Sequence, residues 1–191
     1  MSLMNLLNVL EQATPQEVIE GMGWYEQAHE MARTLADQYR LSLDVVAGVI
    51  AALSPRSRWE RNMVDAGNLL SAFTSGRDPH AVSVGTFHRN KERAIEILES
   101  GTRHGVLSGL KVCDFADSVE NPTNGAVTVD SHAYNAWLGK RAIRNGTGPR
   151  ITPKRYRECA EAYKKVAKLY GIRPSQAQAI IWLAWKRIHK L

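Results

Sequence analysis

Helical signals recur along almost the whole chain and leave little room for a sheet. Thr14-Pro15-Gln16-Glu17 reads as a capping box with proline at the first helical position. It opens a helical stretch to about Tyr39, in which Gly21 and Gly23 are expected to break or bend the helix. Ser42 caps the next helix, where Leu43, Val46, Ala47 and Ile50 share a face. Ser54-Pro55-Arg56 ends it, because proline disfavours helix in the residue before it. Met63, Ala66, Leu70 and Phe73 are in register over a helix from about Trp59 to Phe73. Residues 74–85 are rich in Gly, Ser and Pro and read as a loop, followed by a helix over roughly Thr86–Glu99.

Gly101, Gly105 and Gly109 punctuate a turn-rich stretch, and a helix follows from about Gly109 to Val119. Val127–Val129 is a short extended run that ends at Asp130, and helix resumes near Ser131–Lys140. A loop with Gly146, Gly148 and Pro149 precedes Thr152-Pro153, which starts a helix to about Tyr170 with Gly171 as its C-cap. The last helix starts near Pro174 and carries Ala177, Ile180, Ile181, Ala184, Trp185 and Ile188. The expectation is about nine helices, no sizeable sheet and an all-α fold.

A chain of 191 residues suits one domain, or two lobes sharing one core. Hydrophobic residues are 44% and charged ones 23%, the balance of a globular chain and not of a disordered one. The longest apolar runs, such as Val45–Leu53, fall well short of the ~20 residues that span a bilayer. The segment MSLMNLLNVLEQ has no basic n-region and no small-residue cleavage site, so no signal peptide is expected. Cys113 and Cys159 cannot build a disulfide scaffold, a cysteine-rich zinc site or a four-cysteine cluster. Their number fits a reducing compartment, and the expected location is cytoplasmic. The six histidines are scattered and the usual phosphate-loop, dinucleotide and H-E-x-x-H motifs are absent, so no metal and no cofactor are expected.

Charge is lopsided. Lys140–Leu191 holds 14 basic and 2 acidic residues, a net of +12, whereas residues 1–139 carry a net of −6. A basic third on an acidic remainder points to a polyanion as partner, with a solvated lysine-rich helix face as the plainer alternative.

The informative segment is Gly105–Lys140. A glycine turn leads into a helix beginning near Lys111, and a short apolar run ends 19 residues later in Asp130 at the start of another helix. Lys111-Val112-Cys113-Asp114 and Val129-Asp130-Ser131-His132 stand where the helix-hairpin-helix DNA glycosylases have lysine followed by V-A-D-C, and V-D-x-H. Within that superfamily the chain most resembles a compact, divergent 8-oxoguanine DNA glycosylase. Ser54–Trp59 resembles the family's lesion-facing loop, and Ala177-Gln178-Ala179-Ile180-Ile181-Trp182 resembles its A-Q-A-V-L-F base-pocket helix. The three blocks keep the family order and cover about 80 residues. The chain also departs from the pattern. Gly105-Val106-Leu107-Ser108-Gly109 replaces L-P-G-x-G, the loop lacks asparagines, and the 191 residues contain no counterpart of the family's N-terminal β domain. Damage specificity is therefore not carried over.

The resemblance implies one helical domain over residues 1–191. One lobe would run from about 41 to 139, the N- and C-terminal helices would form a second, and a cleft would lie between them. It implies DNA as partner, as a duplex with a flipped base, a monomer, and no membrane. Lys111 would be the nucleophile that attacks the sugar C1′ and forms a Schiff base, with a plain exposed helix-start lysine as the alternative. An ordinary lysine titrates near 10.4, so attack at neutral pH needs burial or a nearby positive charge. Asp130 would stabilise the developing cation on the sugar, or serve only as a helix N-cap. Gln178 would read the edge of the flipped base. Trp182 would stack on that base or fill core. Gly109 belongs to the hairpin, and His132 would touch the backbone or be a plain first-turn histidine. Arg56, Arg58 and Trp59 would fill the gap or contact the opposite strand, with plain surface arginines as the alternative for Arg56 and Arg58 and core for Trp59. Apart from the resemblance, Lys140, Arg141, Arg144, Lys154, Arg155 and Arg157 flank the Gly146–Pro149 loop and would meet phosphates, which position a protein without reading sequence, or serve in part as solubilising charges.

Two other readings compete with a base-excising glycosylase of DNA repair, with or without lyase activity. One is a phage-type enzyme that processes hypermodified bases without a lysine nucleophile, located in the host cytoplasm. The other is a non-catalytic DNA-binding module. The charge asymmetry supports all three alike.

Overall fold

The capping signals are realised as bonds. In the computed structural model, which describes residues 2–144 and 147–191, Glu17 and Thr14 close the capping box. The Thr14 amide donates to the Glu17 carboxylate at 2.8 Å and the Glu17 amide to the Thr14 hydroxyl at 3.2 Å. The described residues form nine α-helices: α1 (Ser2–Leu10), α2 (Pro15–Tyr39), α3 (Leu43–Leu53), α4 (Trp59–Thr74), α5 (His88–Ser100), α6 (Leu110–Glu120), α7 (Ser131–Leu138), α8 (Pro153–Tyr170) and α9 (Pro174–Ile188). A 3-10 turn at Pro79–Ala81 interrupts the loop between α4 and α5. There is no strand among the described residues, so the all-α expectation holds. No helix among them is long and apolar enough to cross a membrane.

Contacts divide the chain into two compact units, one of Met1–Gln27 with Asn121–Leu191 and the other of Ala28–Glu120. The boundaries differ from the expected 41 and 139. Residues 121–139 belong with the chain's ends because α7 packs on α1, α8 and α9.

The Ala28–Glu120 unit is built around α3, every residue of which from Val45 to Leu53 is buried. A helix that is apolar all round needs cover on every side, and α4, α5 and α6 supply it. Gly48 lets Arg103 approach, since a Cβ at Gly48 would lie 2.6 Å from the Arg103 Cβ. Asp65 is buried, and its two oxygens accept from Arg61 Nε and the Gly85 amide, both at 2.7 Å, which ties the 74–85 loop to α4.

In the other unit α1, α7, α8 and α9 pack together around Leu6, Trp137, Tyr163, Ile180 and Ile181. Residues 1–13 carried no helix expectation; α1 is held by its buried Leu6, Val9 and Leu10. The expected break at Gly21 and Gly23 does not occur, and α2 is continuous. Gly21 instead admits α9: a Cβ there would lie 2.5–2.7 Å from the side chain and backbone of Ile180. Gly21→Ala is therefore expected to destabilise the fold by about 1–3 kcal/mol, although alanine is the better helix former. Thermal denaturation reads this directly, and a rise in melting temperature would refute the close approach.

The Val127–Val129 run pairs with no strand among the described residues. Tyr156 takes that role, its hydroxyl accepting from the Val129 amide and donating to the Val127 carbonyl, each at 3.1 Å. The Arg144–Thr147 bridge flanks Gly146, which lies outside the described residues.

Candidate functional site

Asp130 is the best-held of the sequence-selected residues. The Tyr156 hydroxyl fixes the run that leads to it, and Asp130 then caps α7, its Oδ1 accepting from the Ala133 amide at 2.8 Å. Its Oδ2 accepts from the indole Nε1 of Trp182, on α9, at 3.0 Å. The His132 and Trp182 rings meet edge to face at 6.0 Å and 88°. Lys186 Nζ sits 3.9 Å from the centroid of the Trp182 ring. The fold thus brings Asp130, His132 and Trp182 together from the α7 start and α9. Gln178, one turn before Trp182, is buried, and its carbonyl oxygen accepts from the Tyr25 hydroxyl at 3.0 Å.

The groups beneath Asp130 are neutral donors. Tyr163 donates to the Ala133 carbonyl at 3.0 Å. Burial first, with Asp130 adding to it, pushes the Tyr163 hydroxyl well above its ordinary range. Burial, with Asp130 adding, likewise raises the Cys159 thiol. Burial first, then Asp117 and Asp114, also raise Cys113, so neither cysteine is a thiolate at neutral pH.

The basic residues of this unit are mostly exposed. Lys140, Arg144, Lys154 and Arg157 face solvent, and Arg141 is half-buried. Arg155 lies 4.5 Å from the centroid of Trp137, donates to the Tyr134 hydroxyl at 3.3 Å and pairs with Glu158. With Lys154, Arg157 and Lys165 it borders a shallow cavity of about 700 Å³. The loop after α7 is shaped by Asn135, which exchanges two hydrogen bonds with the Ile143 backbone at 2.7 and 2.9 Å.

The remaining candidates belong to the Ala28–Glu120 unit. Lys111 is exposed in the first turn of α6, a turn without acidic residues, and follows Gly109 at φ +97°. Trp59 opens α4 with its ring edge to face against Phe115 at 6.4 Å, which is a core contact. Arg58 is exposed at the α4 N-cap. Arg56 is exposed and takes the left-handed conformation at φ +64°, sparsely populated for a residue with a side chain.

That conformation sets the Arg56 guanidinium 5.4 Å from the centroid of Phe87. The Arg89 guanidinium is 5.7 Å from the same ring. Phe87 is 46% exposed, and the two loops are joined by the Thr86 hydroxyl donating to the Pro55 carbonyl at 2.8 Å. Sequence reasoning missed Phe87 and Arg89. The available signal was the run Phe87-His88-Arg89-Asn90-Lys91, which sets basic side chains in the first turn of α5 and no acid. A helix start favours anionic side chains, so a first turn of cations without an acid is unusual.

A family profile described as a family of unknown function (DUF7178) matches residues 2–189. The chain belongs to that family. Comparison with the curated proteins and with the solved structures gave no match.

Proposed function

We propose that this member of the family acts on bases in DNA, as an N-glycosylase that removes a damaged or modified base, with or without AP lyase chemistry following. The observation that carries the reading is Asp130, whose two carboxylate oxygens are each held by a separate donor at a helix start. A carboxylate oriented in advance stabilises a cationic sugar without reorganising during the reaction. The exposed Phe87 with Arg56 and Arg89, and the basic last third of the chain, support a nucleic-acid partner.

In this scheme the Lys111 amine adds to C1′, and the glycosidic bond breaks. The base departs with the bonding electrons and is protonated. The nitrogen then loses a proton and the sugar ring opens, which leaves a Schiff base. β-elimination of the 3′ phosphate can nick the strand. Lys111 is exposed in the free protein, so bound DNA must desolvate it. That exposure also favours a second reading, a base-processing enzyme of the phage type that needs no lysine nucleophile.

Borohydride trapping separates the two. Wild type and Lys111→Ala are incubated with duplexes carrying 8-oxoguanine, uracil, an abasic site or a hypermodified pyrimidine. A covalent adduct formed by the wild type and absent from the variant supports the lysine mechanism. Base loss without an adduct supports the second reading. Binding should also weaken steeply between about 50 and 200 mM salt, and Phe87→Ala should cost about ten- to a hundredfold in affinity. Filter binding or fluorescence anisotropy checks both, and a flat salt response would remove DNA as the partner.

A further inference from the structure

Within the reading just proposed, we infer that Trp182 is the positioning residue for Asp130 and not a stacking platform for a flipped base. The indole N–H donates to Asp130 Oδ2 at 3.0 Å, and the Ala133 amide holds the other oxygen at 2.8 Å. The carboxylate is thereby gripped from two elements, the backbone of α7 and a side chain of α9. Rotation about its last side-chain bond would break both contacts.

The ring of Trp182 is engaged as well. Lys186 Nζ lies 3.9 Å from its centroid, and His132 meets it edge to face at 6.0 Å. A cation on the ring draws π density and polarises the indole, which strengthens its N–H as a donor. The order Lys186, Trp182, Asp130 is therefore a line of alternating attraction that ends on the carboxylate. Phenylalanine would fill the same space and stack on a base equally well, but it cannot donate to Asp130. The choice of tryptophan follows from the hydrogen bond.

Two independent readouts test this, one on Asp130 variants and one on Trp182→Phe. The first needs no substrate. The Trp182 indole N–H proton is followed by NMR in the wild type and in Asp130→Ala, with Asp130→Asn as a second variant that keeps a good N-cap. A resonance that exchanges slowly in the wild type and loses its protection in Asp130→Ala supports the contact. An indole proton that exchanges equally fast in both proteins overturns it. The second readout is kinetic, on whichever duplex the trapping experiment identifies. A positioning role lowers kcat at least about tenfold in Trp182→Phe and leaves KM unchanged. A stacking role leaves Trp182→Phe near wild type and raises KM in Trp182→Ala, which would overturn the assignment. If no base excision is found, the glycosylase reading fails, and the NMR comparison still decides whether Trp182 holds Asp130.

Discussion

Arg103→Ala is expected to lower the melting temperature by roughly 6–12 °C, which corresponds to about 3 kcal/mol at this chain length. The side chain is only 6% exposed, and its guanidinium contacts three carboxylates. Its Nε donates to Asp44 at 2.7 Å, one terminal nitrogen reaches Asp117 at 2.6 Å, and the other pairs with Glu120. The Arg103 amide and the Thr102 hydroxyl donate to the second Asp44 oxygen. One side chain thus joins the start of α3 to the last turns of α6. Removing it leaves three anions close together without their cation. Asp117 and Glu120 are 39% and 34% exposed and regain water, which keeps the cost near the low end for a buried network.

The same network gives the penalty a pH dependence. Burial alone would raise the Asp44 carboxyl, but hydrogen bonds from the backbone and side chain of Arg103 and from Thr102, with the Arg103 charge, outweigh it. They hold Asp44 below its ordinary value. A depressed carboxyl contributes stability above its unfolded pKa and loses it as pH falls through the folded value. The gap in melting temperature between wild type and Arg103→Ala should therefore be widest near neutrality and narrow below about pH 4. A constant gap across that range would show that Arg103 acts through packing alone.

The largest functional effect is expected at Lys111. On the duplex identified by trapping, Lys111→Ala should reduce base excision on the order of 10³-fold or more, the scale of removing a covalent nucleophile. Asp130→Asn should cost about 10²–10³-fold, as for one preorganised electrostatic group. Lys111→Arg keeps the positive charge without a comparable nucleophile, so it should bind DNA like the wild type and fail to form the trapped adduct. Single-turnover kinetics with anisotropy on the same duplex separates binding from chemistry. Equal rates for wild type and Lys111→Ala would transfer the proposal to the lysine-independent base-processing reading.

Much of the secondary structure was legible because its signals are local. Thr14–Glu17, Ser42, Thr152-Pro153 and Gly171 each act within a few residues, and each sits at the helix end expected of it. The reading of Gly21 went astray because helix propensity weighs only the residue's own backbone, whereas Ile180 lies 159 positions away in sequence. Asp130 was legible as a helix start after an apolar run. Its second donor was not, since nothing local to Asp130 announces an indole from α9.

Phe87 and Arg103 mark the same limit. Phe87 gains its character from Arg56, brought alongside by a left-handed turn and a bond between two loops. Nothing adjacent in sequence marks Arg103; α3 and α6 set three carboxylates around it. What the sequence determined by itself is an all-helical chain, its caps, and a strong segregation of charge, because those depend on spacing and on residue type. Only the tertiary structure decided which side chains share a donor, a ring or an ion, because such contacts are made between elements whose meeting is set by packing and not by their order along the chain.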